Sequence, residues 1–188
     1  MDCRHAVVPC DVWDWYERAW CACHRVESLG RDAILAVEPA LHAGPALSLR
    51  DGTTIPAGAQ LGELHFDRKR VAHLHRTVPP HRLGLSLRRE LERTLQQLAW
   101  MVIETPRYDG FQAFRGTTLF WREAGQLGFE MCTRDPGWTL GFLSWYQRML
   151  LARDHPLGRR RLHGRRWEAR TIWLSRRELL RRYGRPGG

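Results

Sequence analysis

The longest regular pattern in the chain is a leucine stripe. Leu87, Leu91, Leu95, Leu98 and Val102 recur at steps of four and three, with Arg88, Arg89, Glu92, Arg93 and Gln96 between them. One apolar face at that period predicts an amphipathic helix over 86–104, stopped by Pro106 and Asp109-Gly110. Trp13, Tyr16, Trp20 and Cys23 repeat similarly behind Asp11, a helix-capping residue, and predict a helix over 11–27. Phe142, Leu143, Tyr146, Met149 and Leu150 form a third stripe, predicting a helix over 139–153. Ser175 with Glu178 three residues on is a capping box opening a last helix, which Gly184 and Pro186 end.

Elsewhere the period drops to two. Residues 34–37 are β-prone and closed by Pro39. Leu47 and Leu49 alternate with polar residues ahead of Asp51-Gly52 and Thr53–Ile55, the pattern of a hairpin. Gln60–Asp67 reads as a strand with Leu64 and Phe66 on one side and Glu63 and His65 on the other. Residues 68–81 are basic and rich in His, and predict a helical turn followed by a loop. Phe111–Trp121 and Gln126–Thr133 predict two strands joined as a hairpin through residues 123–125. Residues 170–174 predict a last strand. Hairpins outnumber β-α-β units, so the predicted class is α+β: an antiparallel or mixed sheet packed against three main helices. One domain over 1–188 is expected, its core at about 11–184, with a basic C-terminal segment over 154–188.

Composition bounds the function. Nine Trp, six Phe and four Tyr supply a core that a disordered chain lacks. No apolar run approaches the roughly 20 residues that span a bilayer, and no secretory signal is visible, so a cytoplasmic protein is expected. Five Cys are too few and too poorly spaced for a disulfide framework. The net charge is +10, and residues 151–188 hold twelve Arg against Asp154, Glu168 and Glu178. Only Lys69 among thirty basic residues is lysine, a skew that suggests codon bias.

Four constellations carry possible chemistry. Glu63 and His65 share a strand face, where an acid and an imidazole can pair or move protons; Glu130 is a further candidate. Arg115, Thr117 and Thr118 around Gly116 suit a carboxylate, phosphate or sugar hydroxyl. Arg159, Arg160, Arg161, Arg165 and Arg166 with Trp167 suit phosphates and bases, and hence nucleic acid or another anionic polymer. His73 and His75 do not have the convergent spacing of a metal site, and neither a metal nor a cofactor is expected. No nucleophile elbow or phosphate-binding glycine loop occurs.

The segments "LRDGTTIPAGAQLGELHF", "FRGTTLF", "LGFEM" and "IWLSRRELLRRYG" resemble, in pattern and order, the YkoP-like domain of bacteria, from about Ile34 to Tyr183. Similar domains are fused to polysaccharide deacetylases, and the resemblance implies a link to polysaccharide or cell-envelope metabolism. The chain lacks the His-x-x-x-His metal pattern of those deacetylases. The expected function is a non-catalytic binding or accessory module for a small-molecule or glycan ligand. The alternatives are an enzyme acting through Glu63 and His65, or a binder of anionic polymer through the C-terminal arginines.

Overall fold

The structure, a computed structural model, describes residues 26–132 and 168–184. Nearly all of the predicted 11–27 helix, the whole predicted 139–153 helix and the arginine-rich loop over 154–166 lie outside the described residues.

A six-stranded mixed sheet organises the rest. Its strands are β1 (Glu27–Ser28), β2 (Leu35–Leu41), β5 (Gln60–Phe66), β6 (Ala113–Thr118), β8 (Arg170–Ser175) and β7 (Glu130–Met131), in that spatial order. β5 and β6 run parallel; the other neighbours are antiparallel. Both edge strands are two residues long among the described residues. The Asp51-Gly52 hairpin forms as expected from β3 (Leu47–Ser48) and β4 (Thr54–Ile55). Gly52 takes φ 83°, and the Asp51 carboxylate accepts from the Thr53 N–H at 2.9 Å.

The α-helices among the described residues are α1 (Arg68–Thr77), α2 (Leu83–Glu104), α3 (Trp121–Gln126) and α4 (Arg176–Tyr183). α2 lies on the sheet face that carries Val37, Leu64 and Phe114. It buries Leu95, Leu98, Ala99 and Val102 there, while Leu87 and Leu91 are only partly covered. Thr94 ties helix to sheet: its hydroxyl accepts from the Ile34 N–H in the core. The opposite sheet face is split. Its lower end, Leu61, Ala113 and Trp173, packs under Leu49 and Ile55 of the hairpin. Its upper end is polar.

Five expectations are corrected. Glu27 begins a strand and does not end a helix. β2 runs through Pro39 to Leu41 instead of stopping there. The His42 N–H bonds to the Ala59 carbonyl, and ladder bonds toward β5 recur every second residue, so Pro39 turns its nitrogen outward. β1 pairs only with Ala36 and Val37, so its described ladder stops short of Pro39. Residues 68–77 form a full helix because Asp67 caps it, its carboxylate accepting from the Arg70 N–H at 3.0 Å. Residues 121–126 are helical, and β7 pairs with β8, not with β6. The 111–133 hairpin therefore does not exist, because β8 comes between its two arms. α2, finally, starts at Leu83, whose side chain is buried, rather than at 86.

Candidate functional site

Strand register assembles the polar face. Glu38 of β2 lies opposite Glu63 of β5, Glu63 opposite Arg115 of β6, Arg115 opposite Trp173 of β8, and Trp173 opposite Glu130 of β7. One side chain from each of five strands thus forms a row across the sheet. Two carboxylates directly opposite each other repel, and each here is held from its far side. Arg115 donates to Glu63 Oε2 from Nε at 2.9 Å and from Nη2 at 2.6 Å. His65 Nε2 lies 2.9 Å from Glu38 Oε2; a carboxylate only accepts, so Nε2 carries the proton. The Arg115 guanidinium also sits 5.9 Å from the centre of the Trp173 indole. The side chains of Glu63, Arg115 and His65 are each 27% exposed, so they are positioned by packing yet reachable from solvent.

The predicted Glu63–His65 pair is therefore a foursome. The two side chains share a face, but each is bound to another partner. Thr117 lies on this same face, two residues beyond Arg115, whereas Thr118 is buried on the helix side with its hydroxyl accepting from the Phe120 N–H at 3.1 Å. Glu130 ends the row and accepts from the Arg50 N–H with both oxygens at 3.0 Å, which anchors the hairpin loop. Arg159, Arg160, Arg161, Arg165, Arg166 and Trp167 lie outside the described residues. His73 and His75 sit on α1, and no three His, Cys, Asp or Glu side chains among the described residues are grouped to hold a metal.

Glu38 is the member that sequence reasoning missed. Its signal was present: Leu35 and Val37 are buried, while Ala36 and Glu38 alternate with them. Pro39 masked it by suggesting that the strand had already ended.

The ladder between β5 and β6 joins Leu61–Ala113, Gly62–Phe114 and Glu63–Arg115, then stops, although β5 continues to Phe66 and β6 to Thr118. The charged row thus lies where the parallel pairing ends, with His65 and Thr117 beyond it on the two carboxyl-terminal strand ends.

Three solved structures are similar in part. An acyltransferase mutant in complex with octanoyl-CoA shares 16% identity over 84% of this chain and 50% of its own, with a TM-score of 0.40. Acyltransferase structures with decanoyl-CoA, and with decanoyl-CoA and teicoplanin, share 18% and 15% identity over 76% and 77% of this chain, with TM-scores of 0.34 and 0.37. They are matched over 44% and 46% of their own chains, so this chain spans about half the length of the structures it resembles. That likeness is too loose to carry an activity across. No curated protein matches the chain. The family model of the YkoP domain matches residues 8–183, nearly the whole sequence, and the chain belongs to that family.

Proposed function

We propose that the polar row binds a small hydroxylated ligand of glycan type, and that the protein is a binding or accessory module in polysaccharide or cell-envelope metabolism. The observation that carries this reading is the in-register set Glu38, Glu63 and Arg115 with His65, fixed on strands at the end of the parallel ladder. Sugar hydroxyls both donate and accept. Carboxylates supply acceptors and the guanidinium supplies donors, and partners already in place lower the ordering cost of binding.

The test is thermal stability in the presence of glycan fragments, including N-acetylated and deacetylated oligosaccharides. A ligand at one hundred times its Kd stabilises a fold by about 2.7 kcal/mol. Arg115→Ala and Glu63→Gln should abolish the gain. If no fragment raises the melting temperature of the wild-type chain, the reading fails.

One observation favours a second reading, catalysis. An imidazole held by a carboxylate, as His65 is by Glu38, is oriented for proton transfer with a ligand hydroxyl. Product formation by the wild-type chain that Glu38→Gln lowers, with ligand binding retained, would establish it.

A further inference from the structure

The outer side of the helical layer carries a second surface, remote from the polar row because the sheet lies between them. Residues 68–89 contain seven Arg and Lys and no Asp or Glu. They span α1, the connection 78–82 and the first turns of α2. The run escapes a whole-chain charge count because acidic residues elsewhere in 1–150 offset it. Arg76, Arg82 and Arg89 are solvent-exposed, and none has an ion-pair partner among the described residues. Arg88 and Arg93, by contrast, are engaged by Glu92 and Glu90.

Three large apolar side chains stand out from α2 into solvent: Leu85 at 56%, Trp100 at 64% and Ile103 at 51% exposure. At 3.6 residues per turn, Leu85, Arg89, Trp100 and Ile103 fall within about 60° of one another on the helix circumference. With the exposed Gln96 on the same arc, they form one stripe, apolar at its two ends and polar between them, on the side turned away from the buried Leu95, Leu98 and Val102. The stripe is about 27 Å long at 1.5 Å per residue.

We infer that this stripe docks the protein on the surface of an anionic lipid bilayer, with α2 lying in the interface plane. Arginines without ion-pair partners among the described residues meet lipid phosphates, while Trp100 with Ile103 at one end of the stripe and Leu85 at the other enter the headgroup boundary. The apolar triad decides between polyanions. Phosphates of a nucleic acid would satisfy Arg76, Arg82 and Arg89, but would give Leu85 and Ile103 nothing. No helix among the described residues is long and apolar enough to cross a membrane, and the contact proposed is a peripheral one. Docked this way, the chain turns its polar sheet face away from the bilayer.

The test is co-sedimentation of the full chain with phosphatidylglycerol–phosphatidylcholine vesicles and with phosphatidylcholine vesicles alone. Binding is expected only to the anionic vesicles, and should weaken as salt screens the arginines. Each of Arg82→Ala and Arg89→Ala should lower partitioning about fivefold. Trp100→Ser should lower it as well, without changing the salt dependence. All three positions are exposed, and an unchanged circular dichroism melt certifies the fold. Equal binding to neutral vesicles overturns the proposal, as does absence of binding. Binding that survives these variants but is lost on neutralising Arg159–Arg161 assigns it to the C-terminal segment instead. Retention on DNA that Trp100→Ser and Leu85→Ser leave unchanged, without vesicle binding, makes the basic run a nucleic-acid surface and also overturns it.

Discussion

At the scale of single residues, Arg115 is the keystone of the polar row. It is set between a strand that presents Glu63 on one side and a strand that presents an indole on the other, and it offsets the repulsion between Glu63 and Glu38. Arg115→Leu should destabilise the fold by about 1–3 kcal/mol, because a half-buried carboxylate loses its charged donor. Adding Glu63→Gln should restore part of that loss, since the remaining amide carries no charge beside Glu38. Urea midpoints of the two single variants and the double variant measure the coupling; strict additivity would show that the pair contributes nothing. Much of this was legible in the sequence. Alternation along Gln60–Phe66 put Glu63 and His65 on one face, and the Arg-Gly-Thr segment was recognised as a polar strand. Their partners were not legible. Strand order and register are set by tertiary packing, and a shift of one residue turns every side chain to the other face. Neither the opposition of Glu38 and Glu63 nor the hold of Glu38 on His65 can be read without them.

At the scale of elements, apolar periodicity located helix α2 and the hairpin, but it misread short segments where a cap or a turn decides. Asp67 caps α1, which extends the expected single helical turn to ten residues. The stretch Trp121–Gln126, with a helical-turn bond from the Ala124 N–H to the Phe120 carbonyl, is a helix where a hairpin turn between two strands was expected. The leucine stripe also proved uneven. Leu95 and Leu98 are fully buried, while Leu91 only borders the core. Leu98→Ala should therefore cost about 2–5 kcal/mol, and Leu91→Ala clearly less. Opposite them the limit is space rather than cavity. A Cβ at Gly62 would lie 2.5 Å from Phe114 Cδ1 and 2.9 Å from Val37 Cγ2, in the middle of the sheet. Gly62→Ala should cost about 1–3 kcal/mol by overpacking. Thermal denaturation ranks the three variants. Equal losses at Leu91 and Leu98 would mean that the stripe is buried uniformly, contrary to the packing described.

At the scale of the whole molecule, three groups with displaced acidities, two of them in contacts between distant elements and one within α4, predict how stability responds to pH. Burial, and then its hydrogen bond to Glu27, pushes the Tyr108 phenol up to about 12. The hydrogen bond from Arg181, reinforced by Arg182, holds Glu178 down at about 2. Burial pushes Asp51 upward, but hydrogen bonds from Ser175 and Thr53 and the nearby Arg177 outweigh it, and its carboxyl lies below the usual range. Asp51 joins the hairpin to the start of α4, and Tyr108 joins β1 to the end of α2. The signs follow from proton counting. Below an ordinary phenol value of about 10, Tyr108 is protonated in both folded and unfolded chains and contributes no slope. Between there and about 12 the unfolded chain loses its proton while the folded one keeps it, so stability falls as pH rises. At the acid end the unfolded carboxyls of Glu178 and Asp51 take up protons first, while the folded ones stay ionised. Their contribution is complete above the ordinary carboxylate range and is lost as pH falls toward 2. Urea denaturation from pH 2 to 12 should give a plateau with two falling limbs. Tyr108→Phe should lower the plateau by about 1 kcal/mol, through loss of the bond to Glu27, and flatten the alkaline limb. Glu178→Gln should flatten the acid limb and leave the alkaline one alone. If Tyr108→Phe leaves the alkaline slope unchanged, the phenol is not sealed between β1 and α2, and the contact holding the sheet's first edge to the helical layer is not the one described.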